Sequence, residues 1–487
     1  MNKIEQWMNS RIGLNFRSGL DRMEQAVSLL GRPDKAYPIL HVTGTNGKGS
    51  TIAFLRQLLM AHGKKVGTFT SPHMISIHDR ICIGDQPISD EDFTRIGQEV
   101  QQMEQTLLQT QDQLSYFEII CLMALLYFKE QAVDVVLLEV GIGGLLDTTN
   151  VVTGEIAVIT SVGLDHQETL GGTIAEIAQQ KAGIFKKGKK AVVGPLSDDA
   201  IAVCQERAEQ LAVALHAFQK DFGLEQDRFW NENVELVLPS LGLKGDYQRE
   251  NAAVALEAFF LYMEGLDQEV DMDQVKLALQ ETRWPGRLEL FGDQVYLDGA
   301  HNPHAMLRLI EFANSLAGKR VKILFGALKR KDYSGMLQTL QAGLPEAELI
   351  LTTFHYGEVV PCQRYLYAYF FVRNQLFLLI FERDIDINTS RTAYEELAFF
   401  LRIYIEQDVT TREPGLETIG TVHSHFFVDS EKSFQRTMFE RWVCHSRHGI
   451  SHSDTVIGSQ SSASSFHPLS VDICIDGVFG EIMINVR

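Results

Sequence analysis

Five short apolar runs punctuate the first half of the chain: Ile39–Val42, Lys65–Phe69, Val133–Val140, Ile156–Ser161 and Ala191–Gly194. Amphipathic stretches with helical spacing lie between several of them, at Ser50–His62, Ser115–Glu130, Thr173–Phe185 and Ala200–Ala214. Strands that are apolar throughout and separated by helices belong to a parallel sheet covered on both faces. The pattern predicts a doubly wound, mainly parallel α/β domain. A second alternation begins near residue 294, with strand Val295–Asp298, helix Pro303–Leu316, strand Lys322–Gly326, a helix near Tyr333–Leu340 and strand Glu348–Thr353. It predicts a smaller α/β domain, joined to the first by a hinge at Trp284-Pro285-Gly286-Arg287.

Length agrees with more than one domain, since 487 residues exceed the usual size of a single hydrophobic core. The 63 acidic and 44 basic residues leave a formal charge of −19, which argues against coating nucleic acid or an anionic membrane but not against small anions held by local donors. Six cysteines without a CxxC pair make neither a disulfide framework nor a zinc site. The opening Met1-Asn2-Lys3-Ile4-Glu5-Gln6-Trp7 has no apolar signal stretch, and the run Ile119–Phe128 is about half of a membrane span. The expectation is a cytoplasmic protein.

Chemistry concentrates at the carboxyl ends of the expected strands, where ligands gather in open parallel sheets. Thr43-Gly44-Thr45-Asn46-Gly47-Lys48-Gly49-Ser50 follows the first strand and opens a helix. Its glycines allow backbone N–H groups to close around phosphate oxygens, Lys48 adds charge, and the Ser50 hydroxyl suits Mg²⁺. The loop is shorter than the usual P-loop, and Gly49 intervenes between lysine and hydroxyl. The next strand ends deliver Ser71, Glu139, and the pair Asp165 and His166. A hydroxyl, a carboxylate and an imidazole on one edge suit Mg²⁺ beside nucleotide phosphates. Lys181 sits on the apolar stripe of its helix with Ile174, Ile177, Ala178, Ile184 and Phe185. Taken alone, it reads as an amphipathic lysine reaching for water. In the second alternation, Asp298-Gly299-Ala300-His301-Asn302-Pro303 places polar groups at a strand end, with Asn302 as N-cap and Pro303 as the first helical residue.

Eight ordered segments together resemble the folylpolyglutamate synthase/dihydrofolate synthase family of the Mur-ligase superfamily. They are T-G-T-N-G-K-G-S (43–50), T-S-P-H (70–73), S-Y-F-E (115–118), E-V-G-I-G-G-L-L-D-T-T-N (139–150), D-H-Q-E-T-L-G-G-T-I-A-E-I-A-Q-Q-K-A-G-I (165–184), Q-R-E-N-A-A-V-A (248–255), W-P-G-R-L-E (284–289) and D-G-A-H-N-P-H-A (298–305). The resemblance implies a P-loop-type central domain over residues 1–289 and a smaller Rossmann-like glutamate-ligase domain that starts at 290–360.

The resemblance also implies roles. Gly44, Thr45, Asn46, Gly47, Lys48, Gly49 and Ser50 would hold the ATP phosphates, with Asn251 on adenine, Arg287 on phosphate and Asp298 on the nucleotide. His301 would stand near the γ-phosphate. Ser50, Ser71, Glu139 and His166 would ligate Mg²⁺, and a carbamylated Lys181 would serve the second metal. This replaces the water-seeking reading of Lys181. A monovalent cation is a further candidate cofactor. Ser115, Tyr116, Phe117, Glu118 and Asp147 fall where the family holds the pterin-bearing substrate, and Leu145 stands where some relatives carry arginine. The implied activity is a carbon–nitrogen ligase, a monomer that joins L-glutamate to a folate through an acyl phosphate, with Lys48, Lys181, Arg287 and His301 as catalytic residues. Dihydropteroate as substrate, or both activities in one chain, is a same-mechanism alternative, and a cell-wall precursor a more distant one. A nucleotide switch without a covalent product is the alternative of another class.

After residue 360 the sequence changes character. Aromatic residues become dense, alanines scarce (Ala368, Ala393, Ala398, Ala463), and helical or strand periodicity is poor apart from Ala393–Ile405. Tyr365–Phe371, Phe377–Phe381 and Ile473–Phe479 are strand-like, and the family's closing V-T-G-S-L-Y motif is absent. Residues 361–487 therefore read as an out-of-frame or fused segment. The expectation is an incomplete second domain, disorder from about residue 410, and weak ATP turnover.

Overall fold

A computed structural model describes residues 3–12, 19–73, 76–291, 295–316, 320–327 and 331–351, together with four strands between residues 401 and 486. The chain divides into two compact units with the boundary between Glu289 and Leu290.

The first unit contains, in chain order, helices α1 (Lys3–Asn9) and α2 (Asp21–Leu29), strand β1 (Ile39–Thr43), α3 (Lys48–Ala61), β2 (Val66–Phe69), β3 (Ile81–Ile83), β4 (Gln86–Pro87), α4 (Asp90–Leu107), α5 (Tyr116–Glu130), β5 (Val135–Glu139), β6 (Ile156–Ile159), α6 (Gln167–Leu170), α7 (Ile174–Ala182), β7 (Lys190–Val193), α8 (Asp198–Leu211) and β8 (Ala214–Ala217). An antiparallel trio follows, β9 (Phe222–Glu225), β10 (Arg228–Asn231) and β11 (Glu235–Val237), then α9 (Tyr247–Gly265) and α10 (Met272–Glu281). The eight-stranded sheet has the order β4-β3-β2-β5-β1-β6-β7-β8 and is parallel from β2 through β8. The short edge strands β3 and β4 run antiparallel, and they were not anticipated because two or three residues carry no periodicity.

Helices cover both faces, as the apolar strands require. Ile39, Phe69, Val136 and Leu138 face a layer that includes α1, α2, α4 and α5. Leu40, Val42, Val66 and Leu137 face α3, α9 and α10. The register pairs Val42 with Glu139 and Thr43 with Ile159, so the carboxyl ends of β1, β5 and β6 lie side by side. The phosphate loop follows directly from the end of β1, and Glu139 closes β5. The expected helix Ala200–Ala214 stops at Leu211 because Ala212 turns into the left-handed region (φ 52°) and Ala214 opens β8.

The second unit has a five-stranded sheet in the order β12 (Glu289–Phe291), β13 (Val295–Asp298), β16 (Leu401–Glu406), β14 (Arg320–Phe325), β15 (Glu348–Leu351), with helices α11 (Pro303–Ser315) and α12 (Tyr333–Gly343). Strand β12 begins one residue before the boundary, at Glu289. The three expected strands are present, and two more join them. Strand β16 pairs antiparallel with both β13 and β14. The stretch Ala393–Ile405, the periodic part of the tail, runs into this strand: Leu401, Ile403 and Ile405 alternate with Arg402, Tyr404 and Glu406, a period of two that favours a strand. Strands β17 (His423–His425), β18 (Val471–Ile475) and β19 (Glu481–Val486) form a separate antiparallel trio in the order β17-β19-β18. The strand-like runs Tyr365–Phe371 and Phe377–Phe381, and the disorder expected elsewhere in the tail, lie outside the described residues. No helix among the described residues is long and apolar enough to cross a membrane.

Candidate active site

The phosphate loop is held in shape by the end of β6. Thr45 N donates to Ser161 O at 3.0 Å, Asn46 N to Ser161 Oγ at 2.9 Å, and Thr160 Oγ1 to Asn46 O at 2.6 Å. Thr45 Oγ1 donates to Gly163 O at 3.1 Å and accepts from Gly163 N at 2.9 Å. Gly47 caps α3 in the left-handed region, φ 87°, which side-chain-bearing residues seldom adopt. The loop therefore enters the N-terminus of α3 preformed, with Ser50 buried beside it. The Lys48 ammonium reaches back to Gly44 O at 2.9 Å, which lays its charge over the loop.

Glu139 ends β5 almost fully buried, and its Oε2 accepts the Ser71 N–H at 3.0 Å. Burial raises its carboxyl above the usual range, while Lys48, the Ser71 N–H, Arg287 and Arg80 pull it down. Three cationic side chains thus act on one buried carboxylate. Lys181 is 3% exposed, and its ammonium makes no hydrogen bond or salt bridge among the described residues. Burial first, then the charge of Lys48, lowers its ammonium to a pKa of about 7, against the opposing pull of Asp165 and Asp147. Lys48 is the shared neighbour that links Glu139 to Lys181. His166 is exposed, sits in the left-handed region (φ 49°), and donates its N–H to Asp165 Oδ1 at 2.9 Å. Its assignment as a metal ligand rests on the motif.

These donors suit a hard cation. Among the described residues no group of three or more His, Cys, Asp or Glu side chains forms a metal cage. Mg²⁺ does not need one, since it keeps waters and shares phosphate oxygens with one or two protein carboxylates. Glu139, with hydroxyls at Ser50 and Ser71, fits that pattern, and a bound cation would offset the burial of Glu139.

The segment expected to hold the second substrate is tied together by its own hydrogen bonds. Ser115 caps α5, with Glu118 completing the capping box by accepting Ser115 N–H at 2.7 Å. Arg22 takes the rest of the Glu118 carboxylate, with Nε at 3.0 and 3.1 Å and Nη2 at 2.5 Å. Asp147 is saturated as well: Oδ1 accepts Thr149 N at 3.0 Å and Thr149 Oγ1 at 2.5 Å, and Oδ2 accepts Ile142 N at 2.9 Å. Both carboxylates are committed to protein donors, which makes them anchors of α5 and of the loop that follows Glu139. Tyr116 lies beneath the buried Arg80 guanidinium, 5.8 Å from ring centroid to carbon, and Arg80 Nε donates to His73 Nδ1 at 3.0 Å. Burial beside Arg80 holds His73 down to a pKa of about 3. Phe117 packs on Phe69 at 5.7 Å and against Gly141.

Sequence reasoning missed Arg22 and Arg80, and held His73 only as part of the T-S-P-H segment. Nothing in the polar string His78-Asp79-Arg80 signals burial, and Arg22 meets its partner across 96 residues. Asn251 lies on α9 with its amide against Gly47, oriented by donation from Nδ2 to Gln248 Oε1 at 2.9 Å. In the second unit, Asp298 is buried and accepts Ala300 N at 2.9 Å. His301 Nδ1 lies 2.8 Å from Gly299 O, and Asn302 caps α11 by accepting Ala305 N at 2.8 Å.

Known proteins carry the same architecture. The family model of the Mur ligase middle domain matches residues 42–258, and that of the Mur ligase glutamate ligase domain matches residues 286–361. The dihydrofolate synthase/folylpolyglutamate synthase of Bacillus subtilis is 39% identical over 350 residues, which cover 69% of this chain and 81% of the relative. The folylpolyglutamate synthase of Lacticaseibacillus casei is 35% identical over 334 residues, covering 66% and 78%. A solved FPGS–AMPPCP–folate complex superposes with a TM-score of 0.66 at 30% identity, over 72% of this chain and 96% of that one. A bifunctional folylpolyglutamate synthase/dihydrofolate synthase with Mn, AMPPNP and L-glutamate bound gives 0.67 at 30% identity, over 77% and 89%. The chain belongs to the folylpolyglutamate synthase/dihydrofolate synthase family of Mur-type ligases.

Proposed function

We propose that this chain is an ATP-dependent carbon–nitrogen ligase that adds L-glutamate in γ-linkage to tetrahydrofolate. The observation that carries the reading is Lys48, which lies over the phosphate loop and acts on both buried Glu139 and buried Lys181. A carboxylate oxygen is a poor leaving group in water, so the folate's terminal γ-carboxylate attacks the γ-phosphate of ATP, forming an acyl phosphate and releasing ADP. The amine of L-glutamate then displaces phosphate and the amide forms. Lys48 and Arg287 spread the charge that develops on the phosphoryl group, and the N-terminus of α3 holds the phosphate oxygens. Mg²⁺, held by Glu139 with Ser50, Ser71 and His166, would supply further charge neutralisation at the transferring phosphoryl group.

Lys181 is assigned as a carbamate. An amine with a pKa of about 7 has a substantial neutral fraction near neutral pH, and a neutral amine captures CO₂. Asn251 is assigned to adenine, and Asp298 and His301 to the nucleotide on the strength of the D-G-A-H-N-P motif. We take the enzyme to be a cytoplasmic monomer. Dihydropteroate is the second substrate reading, favoured because the Bacillus subtilis relative bears both activities in its name. The test is ATP turnover with tetrahydrofolate or dihydropteroate, each with and without glutamate, and the products identified by mass. Turnover should require both organic substrates. ATP hydrolysis without amide formation, stimulated instead by a macromolecule, would overturn the ligase reading in favour of a switch.

A further inference from the structure

The indole of Trp284 lies along one face of the phosphate-loop helix. A side-chain carbon at Gly49 would stand 2.8 Å from Trp284 Nε1, closer than packed atoms allow, and 3.1 Å from Cε2 and 3.3 Å from Cζ2, tighter than ordinary packing. Seven residues on, and so on the same face two turns later, the Arg56 guanidinium stacks over the indole at 5.6 Å and pairs with Asp85 at 2.9 Å. The indole is thus wedged between the first turn of α3 and a tethered cation. The turn that follows is fixed at its other end, where Gly286 N donates to Glu289 Oε2 at 2.7 Å. Between these anchors sits Arg287, whose charge acts on Glu139.

We infer that Trp284 is a positioning residue that locks Arg287 and the phosphate loop into one register, and that Gly49 is a glycine because the indole occupies the space of its side chain. The inference rests on the nucleotide reading of the phosphate loop and adds a coupling between loop and hinge. Lys48 and Ser50 flank Gly49, so any shift that parts the indole from α3 moves a charge and a hydroxyl of the phosphate site along with Arg287. Phosphate access alone would also explain a glycine at position 49, but it makes no use of Trp284. The two explanations separate in a double-mutant cycle.

The experiment uses the full-length chain with AMPPNP binding and ATP kinetics. G49A overpacks against the indole and should raise the KM for ATP about tenfold, the size of a typical overpacking penalty. W284L removes the three indole atoms nearest Gly49 and should impose a similar loss. In G49A/W284L the alanine should add almost nothing, because its space has been vacated. Penalties that simply add would overturn the inference. Tryptophan emission gives a second readout that is independent of the ligase reaction and does not rely on W284L folding. AMPPNP should change the emission of the wild type, which has four tryptophans. The change should vanish in W284F. A W284F protein with the full emission change, or a wild type that binds AMPPNP with none, would defeat the coupling. A wild type that binds no AMPPNP at all would overturn the nucleotide reading itself and take this inference with it.

Discussion

The backbone N–H of Ser71 donates to Oε2 of Glu139 at 3.0 Å, joining the ends of neighbouring strands β2 and β5. A carboxylate buried at that point has a fixed orientation, and Lys48, Arg287 and Arg80 offset part of the cost of its burial. The sheet edge therefore holds an aimed carboxylate within reach of the charge of Lys48 on the phosphate loop.

Glu139→Gln keeps a carbonyl oxygen for the Ser71 N–H and removes only the charge. The variant should fold, retain its melting temperature, and lose ligase activity with a steeply raised Mg²⁺ requirement. Glu155 is exposed and paired with Lys189, so Glu155→Gln should behave as wild type. A Mg²⁺ titration of both variants checks this. Equal effects at the two positions would move the metal away from this edge.

Lys181 links activity to pH and CO₂. Its folded-state pKa of about 7 lies below the ordinary 10.5, so between those values the unfolded chain binds a proton that the folded chain does not. Stability should rise with pH across that window and be lost as pH falls towards 7, and Lys181→Met should flatten the dependence. Below pH 7 the amine protonates and cannot hold CO₂, so activity should fall there and in CO₂-depleted buffer. A ¹³CO₂-labelled carbamate signal at neutral pH, absent in Lys181→Ala, is the direct check. Partial rescue of that variant by short-chain acids would support it, and full activity without rescue would refute it.

Glu118 should prove a stability residue. Its side chain is 5% exposed and shared between Arg22 and the cap of α5. Glu118→Ala strands the Arg22 charge and should cost about 3 kcal/mol or more in denaturant unfolding. Glu118→Leu with Arg22→Met should recover much of that. A folate KM that rises at unchanged stability would instead make Glu118 a substrate contact.

The parallel sheet and the phosphate loop were legible because they are local: period, strand, glycine and helix follow one another within a few residues. Lys181 was legible as an anomaly, a charge on an apolar stripe, although its consequence came from resemblance. The Arg22–Glu118 pair and the Asp34–Arg32 pair show two regimes. The second is two residues apart, and the first spans 96 residues. No spacing rule reaches that far. His41 was hidden in another way, because an apolar run such as Ile39-Leu40-His41-Val42 reads as core and its imidazole passes unnoticed. The Asp147 carboxylate turns back onto its own loop, to Ile142 and Thr149, a fold-back that no spacing pattern announces.

The final prediction concerns that buried histidine. Asp147 Oδ1 is an acceptor, so the Thr149 hydroxyl must donate to it, at 2.5 Å. Thr149 Oγ1 must then accept from His41 Nε2, 2.8 Å away, which fixes the Nε2–H tautomer in the middle of the sheet. Burial, reinforced by Lys186, holds His41 at a pKa of about 3, so it stays neutral throughout the working range. β1 grips the loop a second time where Thr43 Oγ1 donates to Gly143 O at 2.7 Å. The same loop docks on the end of α7 through Leu145 N to Gln180 O at 2.7 Å, next to Lys181. Thr149→Val removes both hydroxyl bonds and leaves the His41 N–H buried without an acceptor, a cost of about 1–3 kcal/mol. With the loop loosened, the KM for folate should rise several-fold while the KM for ATP stays near wild type, because the phosphate loop is held by Thr160 and Ser161 instead. Thr149→Ser keeps the hydroxyl and should restore both stability and KM. Steady-state kinetics with each substrate varied in turn decides the matter. A Thr149→Val enzyme whose two KM values rise together would mean that the relay supports the whole sheet edge, not the loop that follows Glu139 alone.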